Sequence, residues 1–114
     1  MIDNALHDGF DRWLEESVAS GKNDMYVLRG ECAEARLRCV DGAIHIAVFA
    51  VGSEHQQQGV FTAFLEHCEA TGRAIVVELV EGEDFRRFMA RRPGYVMEDA
   101  TGGFAPTWRR SARA

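Results

Sequence analysis

This chain reads as one mixed α/β domain on three observations. Near the N-terminus, apolar residues recur at spacings of three and four, the period of a helix with one buried face. Further on, apolar runs of strand length alternate with polar turns, and two of them meet across Asp41-Gly42, a strong hairpin signal. Between the runs IHIAVFAV and AIVVELV sits VFTAFLEHC, which returns to the helical period. A length of 114 residues allows one domain, 1–114, and a hydrophobic share of 46% supplies a single packed core.

Ile2, Leu6, Phe10, Trp13, Leu14 and Val18 predict a helix from about Asp3 to Ser17, ended by Gly21, with its apolar stripe turned to the core. Met25 to Leu28 reads as a strand, and Ala35 to Val40 pairs with Ile44 to Val51 across the hairpin. Ala74 to Val80 is a continuous apolar run broken only by Glu78, as suits a buried strand. Asp84 to Arg92 predicts a short helix with Phe85, Phe88 and Met89 on one face, stopped by Pro93-Gly94-Tyr95. Tyr95 to Glu98 and Thr107 to Arg110 are the last strands, joined by a Gly-rich connection over 99–105. The order is therefore helix, strand, strand, strand, helix, strand, helix, strand, strand, with most pairings antiparallel.

The stretch 44–68 carries the functional signal. A strand feeds the polar turn GSEHQQQG, and the turn opens a helix. The first N–H groups of a helix have no partners within it and carry the positive end of its dipole, so such a turn binds phosphate without a cationic side chain. Any α/β corner has the same outline, and the spacing narrows the choice. Gln56-Gln57-Gln58-Gly59-Val60-Phe61-Thr62 resembles the Gln/Arg-x-x-Gly-x-Gly/Ala turn of the GNAT N-acetyltransferase family. Phe49-Ala50-Val51, ending five residues before Gln56, is similar to the Leu-Ala-Val of that family's cofactor strand. The strand, helix and Gly94-Tyr95 that follow are similar to its C-terminal half, so the resemblance runs from about Tyr26 to Arg110.

That resemblance implies a GNAT-like fold: an N-terminal helix, antiparallel strands, a parallel central pair that splays around a crossover helix, and a C-terminal helix and hairpin. It implies acetyl-CoA as cofactor. The pantetheine arm would pair with the main chain of Phe49, Ala50 and Val51, and the pyrophosphate would lie on Gln56, Gln58, Gly59, Val60, Phe61 and Thr62. Three departures stand against the family pattern. Phe61 takes the place of the second Gly or Ala, and its side chain would narrow the turn. Gln56 to Gln58 lack the Arg or Lys often found there, with Arg73 as an unplaced substitute. Ala90 takes the place of the tyrosine that reprotonates the departing thiolate.

Acetyl transfer to an amine needs a base for the ammonium proton and an acid for the thiolate. Glu78, an acidic residue in an apolar strand, is the candidate base if it is buried without a partner; the alternative is that it faces the solvent edge or meets Arg86, Arg87 or Arg91. Glu81 is the second choice. Tyr95 is the nearest tyrosine for the acid, and the alternative for it is packing. His45 reads as a hydrogen-bonded strand histidine, His55 as a solvated turn residue and His67 as part of the exposed side of its helix.

Cys32, Cys39 and Cys68 form no CxxC pair and suggest neither a disulfide framework nor a zinc site. No apolar segment reaches the roughly 20 residues of a membrane span, and the first twenty residues are acidic and amphipathic, so a cytoplasmic protein is expected. A net charge of −5 favours an amine-bearing or basic partner over nucleic acid. The expected partners are an amine of a small molecule or protein and, by analogy, a second copy in a homodimer. Two functions remain: an acetyl-CoA-dependent N-acetyltransferase, or a catalytically inactive GNAT-like protein that binds another protein. An unrelated ferredoxin-like domain would lack the splay after Val51.

Overall fold

The computed structural model describes residues 1–78, 83–98 and 107–113. Its elements follow the predicted order: α1 (Asn4–Ser20), β1 (Tyr26–Arg29), β2 (Ala33–Val40), β3 (Ala43–Val51), α2 (Val60–Glu69), β4 (Ile75–Val77), α3 (Glu83–Arg91), β5 (Val96–Glu98) and β6 (Thr107–Arg110), with a single 3₁₀ turn at Ser53–His55. Helix α1 starts where the Asp3 carboxylate accepts the Leu6 N–H at 3.1 Å. It runs to Ser20, beyond the predicted end, because Gly21 is the residue that takes the left-handed conformation and returns its N–H to Ser17. Strand β2 begins two residues earlier than expected, since the Gly30 N–H to Ala33 carbonyl bond of 2.8 Å already closes the preceding turn. The β2–β3 hairpin turns on Asp41 and Gly42, with φ of 51° and 79°, the paired positive angles of a type I′ turn.

The six strands form one sheet in the order β1-β2-β3-β4-β6-β5. All neighbours are antiparallel except β3 and β4, which run parallel with Ile44, Ile46 opposite Ile75, Val77. Helix α2 is the crossover between them. Of the predicted strand 74–80, pairing is described for Ile75–Val77; residues 79 and 80, the candidate Glu81 and the connection 99–105 lie outside the described residues.

Alternation along the strands separates the two faces. Leu28, Ala35, Leu37, Ile44, Ile46, Ile75, Val77 and Trp108 join the core together with Leu6, Phe10 and Trp13 of α1, Phe61, Phe64, Leu65 and Cys68 of α2, and Met89 of α3. The helices touch in sequence, Phe10 against Phe64 at 5.5 Å and Phe61 against Phe88 at 5.8 Å between ring centroids, and so form one layer on this face. The residues between, among them Arg36, Arg38, His45, Glu78 and Arg109, lie on the other face. Among the described residues, no helix is long and apolar enough to cross a membrane.

Candidate functional site

The site begins at the last described pairing of β3 with β4. Their last described bond runs from the Glu78 N–H to the Ile46 carbonyl at 2.9 Å, while β3 continues to Val51. At the same level the β2–β3 register slips: Arg36 faces Val48 and Leu37 faces Ile46, so Ala47 has no opposite residue and forms a β-bulge. A bulge bends and twists its strand, which turns 48–51 away from the β4 direction. The main chain of Phe49, Ala50 and Val51 bonds β2 on one side, and on the other no strand among the described residues pairs with it.

Beyond Val51 the chain makes its 3₁₀ turn, passes Gln57 at φ 63°, and enters α2 through Gly59 at φ 76°. No side chain caps α2, and its first main-chain bond runs from Ala63 N–H to the Gly59 carbonyl at 2.9 Å. The N–H groups of Val60, Phe61 and Thr62 therefore stand ahead of the helical ladder at its positive end. A left-handed conformation suits Gly59, and the Met1 ammonium lies beside it, donating to the Gln58 carbonyl at 2.7 Å. Gln58 turns its side-chain amide onto the Glu54 carbonyl at 3.4 Å, and Gln56 is exposed.

Phe61 does not narrow the turn as the sequence suggests. Its ring is buried against Phe49 at 4.9 Å, Phe85 at 5.1 Å and Phe88. A large residue here therefore adds to the core. Arg73 is taken up elsewhere, donating to the Gly42 carbonyl at the hairpin end of the sheet.

Glu78 stands just past β4, and it is partnered. Its Oε1 lies 3.0 Å from His45 Nδ1, and Arg38 Nη2 reaches Oε1 and Oε2 at 3.4 and 3.5 Å. Arg38 of β2 is opposite His45 of β3, and His45 is opposite Val76 of β4; Glu78, two residues after Val76 and on the same face, reaches diagonally back to both. The arginine that meets Glu78 is Arg38 of β2, which is not among Arg86, Arg87 and Arg91 that the sequence suggested. Sequence reasoning did not select Arg38; its place in the alternation of Glu34, Arg36 and Arg38 against buried Ala35, Leu37 and Cys39 is the signal that puts it on the His45 face.

Tyr95 is not brought to this place. It precedes β5, buried in the core, with the Arg110 guanidinium 6.0 Å from its ring centre. Arg110 is in register with Ile75, the first residue of β4, whereas Glu78 lies past its last. Burial, and then the neighbouring charge of Glu69, push the Tyr95 hydroxyl well above the ordinary tyrosine range. That hydroxyl makes no hydrogen bond of good geometry, so Glu69 acts on it chiefly as a nearby charge. Ala90 is exposed on α3 and brings no acid. His67, expected on the outside of α2, instead faces α1: its Nε2 is 2.7 Å from Asp11 and its ring stacks on His7 at 4.4 Å. His55 is half-buried beside Gly52.

No family model matches the chain, and no curated protein does. Among solved structures it is similar to the ribosomal-protein-S18-alanine N-acetyltransferase from Escherichia coli, at 18% identity and a TM-score of 0.57, over 88% of this chain and 79% of that one. It also matches a protein from Agrobacterium tumefaciens assigned as an acetyltransferase, at 14% identity and a TM-score of 0.47, over 91% and 88% of the two chains. With the parallel pair, the bulge and the glycine-capped crossover helix already in place, the first of these likenesses identifies the architecture: the chain has the GNAT fold.

Proposed function

We propose that the protein is an acetyl-CoA-dependent N-acetyltransferase acting on an amine of a small molecule or a protein. The observation that carries this reading is the run of β3 from Ile46 to Val51, beyond its described pairing with β4 and directly ahead of a helix whose first three amides have no side-chain cap. The main chain of 49–51 would pair with the amides of the pantetheine arm as an added strand does. The N–H groups of Val60, Phe61 and Thr62 would hold the diphosphate, with Gln56 and Gln58 at the rim and no cationic side chain required. Bound there, the cofactor supplies an acetyl group activated as a thioester. Glu78, just past β4, is the acidic residue that would stand beside the arm, and a thiolate is a good enough leaving group to depart without an acid from α3.

The S18-alanine specificity of the Escherichia coli neighbour makes a peptide with an N-terminal alanine the first acceptor to try, and the net charge of −5 suits an amine-bearing partner. A homodimer belongs to the same proposal, supported by the exposed Val96 and Met97 on the edge strand β5. A second reading, a GNAT-like protein that binds another protein without catalysis, is favoured by Ala90 and by the burial of Tyr95 away from Glu78.

Isothermal titration with CoA and acetyl-CoA tests the first reading. Micromolar binding is expected, lost in Gly59→Asp, which sets a carboxylate before the amides, and largely kept in Gly59→Asn, which has the same shape without the charge. No binding at millimolar cofactor would refute the acetyltransferase. Binding without turnover of an amine panel would favour the second reading.

A further inference from the structure

We infer that His45 is the group that accepts the proton of the attacking amine, and that Glu78 is its positioning residue. The inference rests on the acetyltransferase reading and assigns the acid–base work within it. Three observations lead to it. Glu78 is the expected base only if its carboxylate is free to take a proton, and both its oxygens are already engaged, Oε1 by His45 and both by Arg38. The contact is made by Nδ1 of His45, and a carboxylate at 3.0 Å fixes the neutral ring as the Nδ1–H tautomer. The lone pair is then on Nε2, the nitrogen that a base needs. Finally, the three side chains lie on the face without helices, next to the Ala47 bulge and the Ile46–Glu78 bond, and none of them is closed off from solvent.

The charges around the ring support the direction of transfer. Facing His45 are Glu78 from β4 and Arg38 from β2; Arg36 lies further along β2, and Arg109 of β6, in the same row beyond Val76, is held by Glu98 at 2.7 Å. When Nε2 takes a proton, the imidazolium sits against the Glu78 carboxylate, and Arg38 keeps that carboxylate in place. The step balances simply. The ammonium gives one proton to Nε2 and becomes the free amine. The amine nitrogen forms the new bond to the acetyl carbon, the carbon–sulfur bond breaks with its electron pair on sulfur, and the second amine proton leaves with CoA as the thiol.

The test combines a spectrum with kinetics. Long-range proton–nitrogen correlation spectra of the imidazoles in the wild-type protein, with and without CoA and with His45→Gln for assignment, are expected to place the His45 proton on Nδ1. A proton on Nε2 in both states overturns the assignment. With acetyl-CoA and the alanyl peptide, His45→Gln is expected to lower kcat by about 100-fold or more and to leave CoA affinity unchanged. With hydroxylamine, which is largely unprotonated at neutral pH and needs no base, the same variant should retain most of its rate; a merely structural role would lower both. Equal rates for wild type and His45→Gln on the peptide overturn the inference while leaving the acetyltransferase standing. Failure of the wild type to bind CoA refutes the acetyltransferase itself. Binding without turnover of either nucleophile overturns the inference too, since the pair then serves no transfer.

Discussion

Asp3 is buried, and its carboxylate accepts three backbone N–H groups: Leu6 at 3.1 Å, Glu31 at 3.1 Å and Cys32 at 2.7 Å. One side chain thus caps α1 and also fixes the turn before β2, whose Cys32 carbonyl then accepts the Gly52 N–H at 2.8 Å where the candidate phosphate turn begins. Gly30 is required beside it, because a Cβ there would run into the carboxylate. Burial by itself would raise the Asp3 pKa, but the N–H groups of Cys32, Glu31, Leu6 and Ala33 together outweigh it and hold the carboxyl below its ordinary value. A carboxyl whose folded pKa is depressed contributes stability above its unfolded pKa of 3.8 and loses it as pH falls through the folded value. Asp3→Asn turns an amide toward N–H donors and should cost about 2 kcal/mol near neutral pH. Urea denaturation across a pH series would show that cost shrinking toward acid; a constant difference at every pH would refute the argument. The sequence offers Asp3 as a helix start through its place before Leu6, but its partners 28 and 29 residues away have no local signature.

Packing of α1 on α2 runs through a ring cluster, His7 stacked on His67 with Phe10 and Phe64 edge-on. Burial, then the neighbouring His67, lowers the His7 pKa, and the nearby Asp3, Asp11 and Asp8 only partly offset this. A histidine with a depressed folded pKa binds fewer protons folded than unfolded, so stability falls as pH drops below the ordinary value of 6.5 toward the folded one. His7→Gln should flatten that mild-acid loss, followed as thermal midpoint against pH; an unchanged slope would refute it. Element order was legible because each segment carries one clear period, and the turns at Gly21, Asp41-Gly42 and Gly59 carry residues that tolerate positive φ. The site was legible in part. Glu78 stands out as a charge in an apolar run, and the spacing of Val51, Gln56 and Gly59 marks the turn. Its partners do not stand out, since His45 and Arg38 lie 33 and 40 residues away and only the strand pairing aligns them.

The end of the molecule opposite the turn is held by one carboxylate. Glu69, in the last turn of α2, accepts Arg92 through Nη2 at 2.6 Å and Nε at 3.2 Å, and lies 3.1 Å from Arg110 of β6. Arg113 adds a bond to its main-chain carbonyl at 2.8 Å. Burial would raise the Glu69 pKa, and Arg92, Tyr95 and Arg110 together lower it. This group ties α2, the segment after α3 and the last strand into one piece. Glu69→Gln leaves two guanidinium groups without their anion and should lower stability by about 2 kcal/mol. A urea midpoint within error of the wild type would refute that. Because the cluster is at the far end of α2 from Gly59, CoA affinity is expected to be unaltered in the same variant.

The unmatched Ala47 shifts the phase of β3. His45 and Phe49 are both odd-numbered and would share a face on an unbroken strand, yet the imidazole meets Glu78 on one side of the sheet and the Phe49 ring meets Phe61 on the other. One uncounted residue thus lets a single strand present a polar side chain to the outer face and, a few residues on, an aromatic anchor to the helices. Without Ala47, Ile46 and Val48 would follow one another opposite Leu37 and Arg36, and the two-residue beat would run unbroken with His45 and Phe49 on their present faces, so the spacing between His45 and Gly59 has meaning only with that extra residue counted in.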